Sequence, residues 1–255
     1  AYAVPRLGCA EDVEAITPQQ LTRHWQEVLT GSRVELFYAG RRAPQEVAES
    51  FARVFAGHAP VRAAEVGTKP HPKPVQLREV TEEMDVTQGK LVIGLHTGIL
   101  GTDPDYPALT LLNAVLGSGM TSKLFVNVRE KRSLCYYASS AVERYKGIMQ
   151  ISSGIEFDKY ETAKNAIFHE LDECRQGRIT EAELESARRG VVSALRSALD
   201  VPARLDDYYL GNAVAGGDRV ETLLEKISAL TKDDLVRAAQ RITPDTVYFL
   251  KGAQT

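Results

Sequence analysis

The sequence predicts an α+β fold, a layered domain in which helices cover a largely antiparallel sheet. Three observations carry this. Residues 75–155 contain two pairs of alternating or apolar strand-like runs, with two short helical patterns between the pairs. From residue 159 to 241 the apolar period changes to that of helices and stays there. A final β-branched and aromatic run follows near 246–250. Strands gathered on one side of the sequence and helices on the other are the pattern of a segregated α+β layer.

Taken in order, Thr17-Pro18-Gln19-Gln20 predicts a helix start, with Thr as N-cap, Pro in the first turn and Gln closing a capping box. Leu21, Trp25 and Val28 then recur at helical spacing. Ser32–Gly40 (SRVELFYAG) reads as a strand, and Pro44 opens a helix with Val47, Phe51, Val54 and Phe55 on one face. A helix–strand–helix piece of this size cannot bury both faces of a sheet. Residues 1–56 are therefore expected to be the C-terminal part of a first α/β domain, exposing apolar surface around Val34–Phe37 and Phe51–Phe55. Residues 57–74 carry Pro, Gly and His without apolar period and read as a linker. Residues 75–255 form the second domain. Strands are expected at 75–86 and 91–97, helices at 106–116 and 122–131, and a hairpin at 134–144 and 148–155 turning at Tyr145-Lys146-Gly147. Helices at 159–175, 180–199 (with a capping box from Thr180 to Glu183), 204–214, 220–229 and 231–241 precede the last strand. Strand 148–155 could lend an edge to an extended peptide or lie inside the sheet.

The run Leu116–Tyr137 concentrates the chemistry. A Gly-x-Gly turn (Gly117, Gly119) opens a basic amphipathic helix that ends before a strand bearing Cys135, Tyr136 and Tyr137. Arg129 and Tyr136 flank that helix-to-strand corner, which can aim a guanidinium and a phenol at one spot and so bind or polarise a carbonyl. Tyr136 and Tyr137 should face opposite sides of the sheet. Phosphate loops follow a strand, whereas the segment before Gly117 reads as helical. The glycines instead suit close approach of a peptide or a neighbouring domain.

This run, from Leu116-Gly-Ser-Gly-Met-Thr-Ser-Lys-Leu-Phe to Arg129-Glu-Lys-Arg-Ser-Leu-Cys-Tyr136, resembles the signature of the pitrilysin/insulinase family of zinc peptidases. Leu7-Gly-Cys-Ala-Glu-Asp-Val-Glu-Ala-Ile-Thr17 is similar to a turn that lies well after that family's zinc helix. The resemblance implies repeated α/β domains, one carrying His-x-x-Glu-His, and a later one supplying an Arg/Tyr pair at the positions of Arg129 and Tyr136. It assigns Gly117, Gly119, Arg129 and Tyr136 to substrate binding, the last two as the catalytic contribution of this chain. The Leu-Cys-Tyr-Tyr-Ala-Ser-Ser run resembles a zinc-lacking bacterial subgroup that pairs with a zinc-bearing subunit.

The zinc motif itself is absent. Of five histidines, His24 comes nearest in His24-Trp25-Gln26-Glu27-Val28, with Val28 where the second imidazole is needed. No metal ligand is assigned in this chain. His169 and Glu173, one helical turn apart, read as a solvated face, His96 as a buried or rim histidine, and Cys135 as core.

The expected function is therefore the substrate-binding, non-catalytic part of a zinc peptidase. It would hold a peptide or unfolded polypeptide for a zinc site in a homologous partner subunit. The alternatives are a fragment of a full-length active zinc metalloendopeptidase and a degenerate scaffold subunit, or a homo-oligomer in place of the partnered form. A net charge of −3 gives no case for nucleic acid. No apolar run reaches bilayer-spanning length. Three scattered cysteines (Cys9, Cys135, Cys174) read as reduced thiols and point to the cytoplasm.

Overall fold

Alternation decides the sheet. In the computed structural model, which describes residues 7–57 and 69–253, strand β2 (Gly89–His96) buries Leu91, Ile93 and Leu95 on one face and turns Lys90, Val92, Gly94 and His96 to the other. Strand β1 (Arg78–Met84) precedes it. Helix α4 (Tyr106–Leu116) follows, then a π-helix (Leu124–Glu130) and strands β3 (Cys135–Glu143) and β4 (Ile148–Ile155). Five helices come next: α5 (Tyr160–Arg175), α6 (Glu181–Leu199), α7 (Pro202–Ala215), α8 (Val220–Ala229) and α9 (Lys232–Arg241). Strand β5 (Thr243–Gly252) is the last element. The sheet order is β1-β5-β2-β4-β3, with β1 and β5 parallel and the other pairs antiparallel. The helices cover one face, where Leu109, Leu112, Leu116, Ile167, Leu171 and Leu235 join Ile93, Met149, Ile151 and Val247 in one core. Strand β4 lies between β2 and β3, so it offers no free edge to a peptide. The free edges belong to β1 and β3.

The chain divides into two compact units, residues 1–67 and 68–255, the sheet belonging to the second. The expected linker 57–74 spans residues 58–68, which lie outside the described residues. In the first unit, helices α2 (Pro18–Gly31) and α3 (Pro44–Val54) form where expected, the first with the Thr17–Gln20 capping box in place. A short helix, α1 (Ala10–Glu14), lies ahead of them. The predicted strand at 32–40 does not form, and residues 33–39 run without regular structure. A strand exists only as part of a ladder, and no strand among the described residues pairs with this segment. None of the unit's described side chains is buried, and Leu21, Trp25, Val34, Leu36, Phe51 and Val54 stand exposed.

Candidate functional site

The corner predicted to carry the chemistry is built from two local irregularities. The helix expected at 122–131 forms as a π-helix. It starts with an ordinary i→i+4 bond from Val126 N–H to the Ser122 carbonyl (2.9 Å) and widens so that Lys131 N–H reaches the Val126 carbonyl (3.0 Å). Leu124 and Val128 anchor it in the core. Ser133, with φ of 48°, turns the chain into β3. There Cys135 pairs with Ile155 and Tyr137 with Gly154, so Tyr136 is the extra residue of a β-bulge. The bulge breaks the expected alternation: Tyr136 and Tyr137 are both exposed, at 60% and 43%.

Arg129 Nε donates to the Tyr136 carbonyl oxygen at 2.8 Å, and its guanidinium lies 4.6 Å from the Phe125 ring centroid. Arg129 Nη1 pairs with Glu130 at 3.2 Å. Among the described residues, nothing accepts from Arg129 Nη2 or bonds the Tyr136 hydroxyl. Both side chains line one cleft of about 370 Å³, with Glu130, Ser133, Glu156 and Lys159. Lys159 pairs with Glu156 at 3.0 Å, which lifts its ammonium pKa above the ordinary value. Two cations and two carboxylates thus leave the cleft near neutrality. The wall residue Cys135 is held in its thiol form, since burial raises its pKa and outweighs the opposing bond to Ser153 and the field of Arg129.

Sequence reasoning missed Lys159 and Glu156, which only the fold brings to the corner. It also missed the residues behind it. Asn127 Nδ2 donates to Glu170 (2.8 Å) and Lys131 Nζ to Asn127 Oδ1 (3.0 Å). Lys123, only 6% exposed, pairs with Glu183 at 2.9 Å. Glu183 was visible in the sequence solely as the capping-box partner of Thr180.

The two glycines do not join the cleft lining. Gly117 is buried against its own chain: a Cβ there would stand 2.7 Å from the Ser140 backbone nitrogen, which bonds the Gly117 carbonyl. Gly119, at φ 127°, has open space around it. His96 Nε2 meets the His71 carbonyl at 3.1 Å, while its buried Nδ1 has no partner, so the histidine is only half satisfied. His169 lies 3.7 Å from Glu173, whose stronger partner is Arg178. Among the described residues no three His, Cys, Asp or Glu side chains converge to hold a metal. With Val28 one turn after His24, the donors present do not fit the family's zinc.

Comparison with known proteins gives the family. The family model described as "Peptidase M16 inactive domain" matches residues 15–191. A Bacillus subtilis protein named "probable inactive metalloprotease" is 34% identical over 254 residues, 99% of this chain and 59% of that protein. A Streptomyces coelicolor protein named "uncharacterized zinc protease" is 24% identical over 94% of this chain and 54% of its own length. The crystal structure of a conserved protein from Enterococcus faecalis superposes with a TM-score of 0.88 at 26% identity, over 99% of this chain and 60% of that one. The peptidase M16 inactive domain from Pseudomonas fluorescens shares the fold at 19% identity, with a TM-score of 0.76 over 100% of this chain and 62% of that one. This chain thus spans about half the length of the curated relatives it matches. From the matched residues and the fold together, the chain belongs to the peptidase M16 family and carries its inactive domain.

Proposed function

We propose that this chain is the peptide-binding, non-catalytic part of a zinc peptidase. It would hold a peptide or unfolded polypeptide for a zinc site carried by a homologous partner subunit. The observation that carries this reading is the pairing of two uncommitted donors, Arg129 Nη2 and the Tyr136 hydroxyl, on one near-neutral cleft. A neutral cleft with directed donors suits backbone carbonyls, which accept hydrogen bonds without bringing charge. The bond from Arg129 Nε to the Tyr136 carbonyl fixes the guanidinium, so little side-chain freedom remains to be lost on binding. Gly119, in open space on the loop before the π-helix, leaves room for a peptide to pass. Three unpaired thiols support a reducing, cytoplasmic setting. The exposed apolar positions of the first unit support its being part of a larger domain that covers them.

Binding of a fluorescein-labelled casein peptide, followed by anisotropy, tests the reading, together with co-elution with the host's zinc-bearing homologue. Hydrogen bonds to a charged group are worth about 1.5–3 kcal/mol, so Arg129→Ala is expected to weaken peptide binding by about 10-fold or more. Tyr136→Phe, losing a neutral donor, costs a few-fold, and neither change disturbs co-elution. Peptide binding that survives both substitutions, with assembly intact, would leave the chain as a scaffold.

A further inference from the structure

A second cavity of this unit lies away from the Arg129 cleft. It holds about 450 Å³ between α4, α6, α7, α8 and the β3–β4 turn, within the size range of small-molecule sites. Its walls are largely apolar, with Leu195, Leu223 and the rings of Tyr106 and Tyr208, and Arg144 lines it from the β3–β4 turn.

The chain is shaped to deliver that side chain. Arg144 passes between two glycines. A Cβ on Gly101 would stand 3.2 Å from Arg144 Cδ, and a Cβ on Gly211 would overlap Arg144 Nη2. What meets the guanidinium at the end of this slot is uncharged. Nη1 donates to Asn212 Oδ1 at 3.0 Å and Nη2 to the Tyr145 hydroxyl at 3.3 Å. The Tyr145 ring lies 5.1 Å away. Among the described residues no carboxylate pairs with Arg144, so three of its five N–H donors are left. A partly buried cation without a counter-charge is costly unless something supplies one.

Charge and shape define the missing partner. Asp218 at the rim is neutralised by Lys226, at 2.8 and 2.9 Å. Arg144, Arg204 and Asp207 then leave the lining with one net positive charge. One charge in an apolar chamber suits a monoanion and disfavours a strongly hydrated dianion. The planar guanidinium matches a carboxylate in bidentate fashion. Asn212 is held by its own donation to the Asp218 carbonyl (2.8 Å), which also accepts from the Tyr208 hydroxyl (2.7 Å), so the cavity rim is braced. Burial raises the Tyr106 and Tyr208 phenols, against the field of Arg144, which reaches both. Both phenols therefore stay protonated, the Tyr208 hydroxyl as the donor to the Asp218 carbonyl.

We propose that this cavity binds a small organic monocarboxylate, with its carboxylate on Arg144 and its apolar body against Leu195 and Leu223. The site is independent of the peptide-binding reading.

Isothermal titration of the intact protein with hydrocinnamate, benzoate and hexanoate tests it, with hydrocinnamamide as the uncharged control. The acids are expected to bind, the amide about 10-fold more weakly or worse, and Arg144→Met to lose a similar factor. Arg144→Lys, which keeps the charge but loses the fork, should fall between. Circular dichroism and melting temperature check that each variant is folded. If Arg144→Met does not fold, the comparison of acid with amide on the unsubstituted protein decides. Equal binding of acid and amide, no binding of any acid at millimolar concentration, or undiminished binding by folded Arg144→Met would each overturn the proposal.

Discussion

The Lys123–Glu183 pair makes an asymmetric prediction about stability. Lys123 is 6% exposed, whereas the Glu183 side chain is 25% exposed and also accepts from the Thr180 backbone N–H (2.8 Å) and hydroxyl (2.9 Å). At 2.9 Å and an effective dielectric of about 20, the attraction is about 6 kcal/mol, roughly what desolvating the lysine costs. Glu183→Gln keeps the shape and the capping box but leaves a buried ammonium without its counter-charge. The cost should be about 3–5 kcal/mol. Lys123→Met leaves a carboxylate that still has water and two Thr180 donors, and should cost about 1–2 kcal/mol. The double variant should recover most of the difference, because it removes both charges. The assay is urea unfolding followed by far-UV circular dichroism, with the fluorescence of Trp25, the single tryptophan, reporting the first unit separately. The pair also has a pH signature. Burial raises the Glu183 carboxyl, but bonds from Thr180 and Lys123 outweigh it and hold the pKa below 4.5. Its contribution is present above the unfolded value and lost as pH falls through the folded one, and Glu183→Gln should flatten that acid limb. Equal costs for the two single variants, or simple additivity in the double, would refute the reasoning.

Three further outcomes rest on the same geometry. Gly117→Ala drives a methyl against the Ser140 backbone and should lower the stability of the second unit by about 1–3 kcal/mol in the same urea assay; no change would show that packing does not fix this glycine. Burial lifts the Cys174 thiol from 9.0 to about 12, so Cys9, which is exposed, should react with a disulfide reagent in the native protein and Cys174 only on unfolding. Because the folded pKa is the higher one, this group's contribution is full below pH 9 and lost as pH rises toward 12, and Cys174→Ala should flatten that loss. An apolar dye should bind at Val34, Leu36 and Phe51, which are 54%, 48% and 42% exposed; Val34→Asp with Phe51→Asp should reduce its fluorescence, and an unchanged signal would place the dye elsewhere.

The sequence made the regular parts of the fold legible. Alternation in Met149–Ser153 marks which face that strand buries, and the apolar run 91–97 marks its neighbour as a strand. Thr17 with Gln20 and Thr180 with Glu183 mark helix starts that form with both capping bonds. Gly147, at φ 66°, marks the hairpin turn. Elements that depend on a neighbour were less legible. The run Arg33–Ala39 has a strand's composition, but composition supplies no ladder partner. The π-helix is hidden because Leu124 and Val128 show the same four-residue burial step as an α-helix, and the widening is in the backbone bonds alone. Lys159 lies beyond a hairpin from Arg129, and only the antiparallel return of β4 brings it to the cleft. Arg144 carried no signal, since a lone arginine at a hairpin turn is ordinarily a solvated one.

The bulge and the π-helix bear directly on the corner. In a regular strand Tyr136 would share the face of Ala138 and Ser140, both buried, and its ring would point under the helices. The extra residue at the bulge sends it to solvent instead and turns its carbonyl to Arg129. On the other side of Ser133, each residue gained or lost in a helical turn rotates the side chains beyond it by about 100°. Arg129, near the end of the π-helix, therefore takes its direction from the widened turn. Neither irregularity improves packing: a bulge leaves a residue outside the ladder, and wide helical turns are rare. Two such features on either side of one corner converge on the same result, a guanidinium and a phenol facing one cleft with donors to spare. Packing alone would favour an α-helix and an unbroken strand, with Tyr136 in the core; under the proposed peptide-binding reading, both irregularities serve the cleft instead.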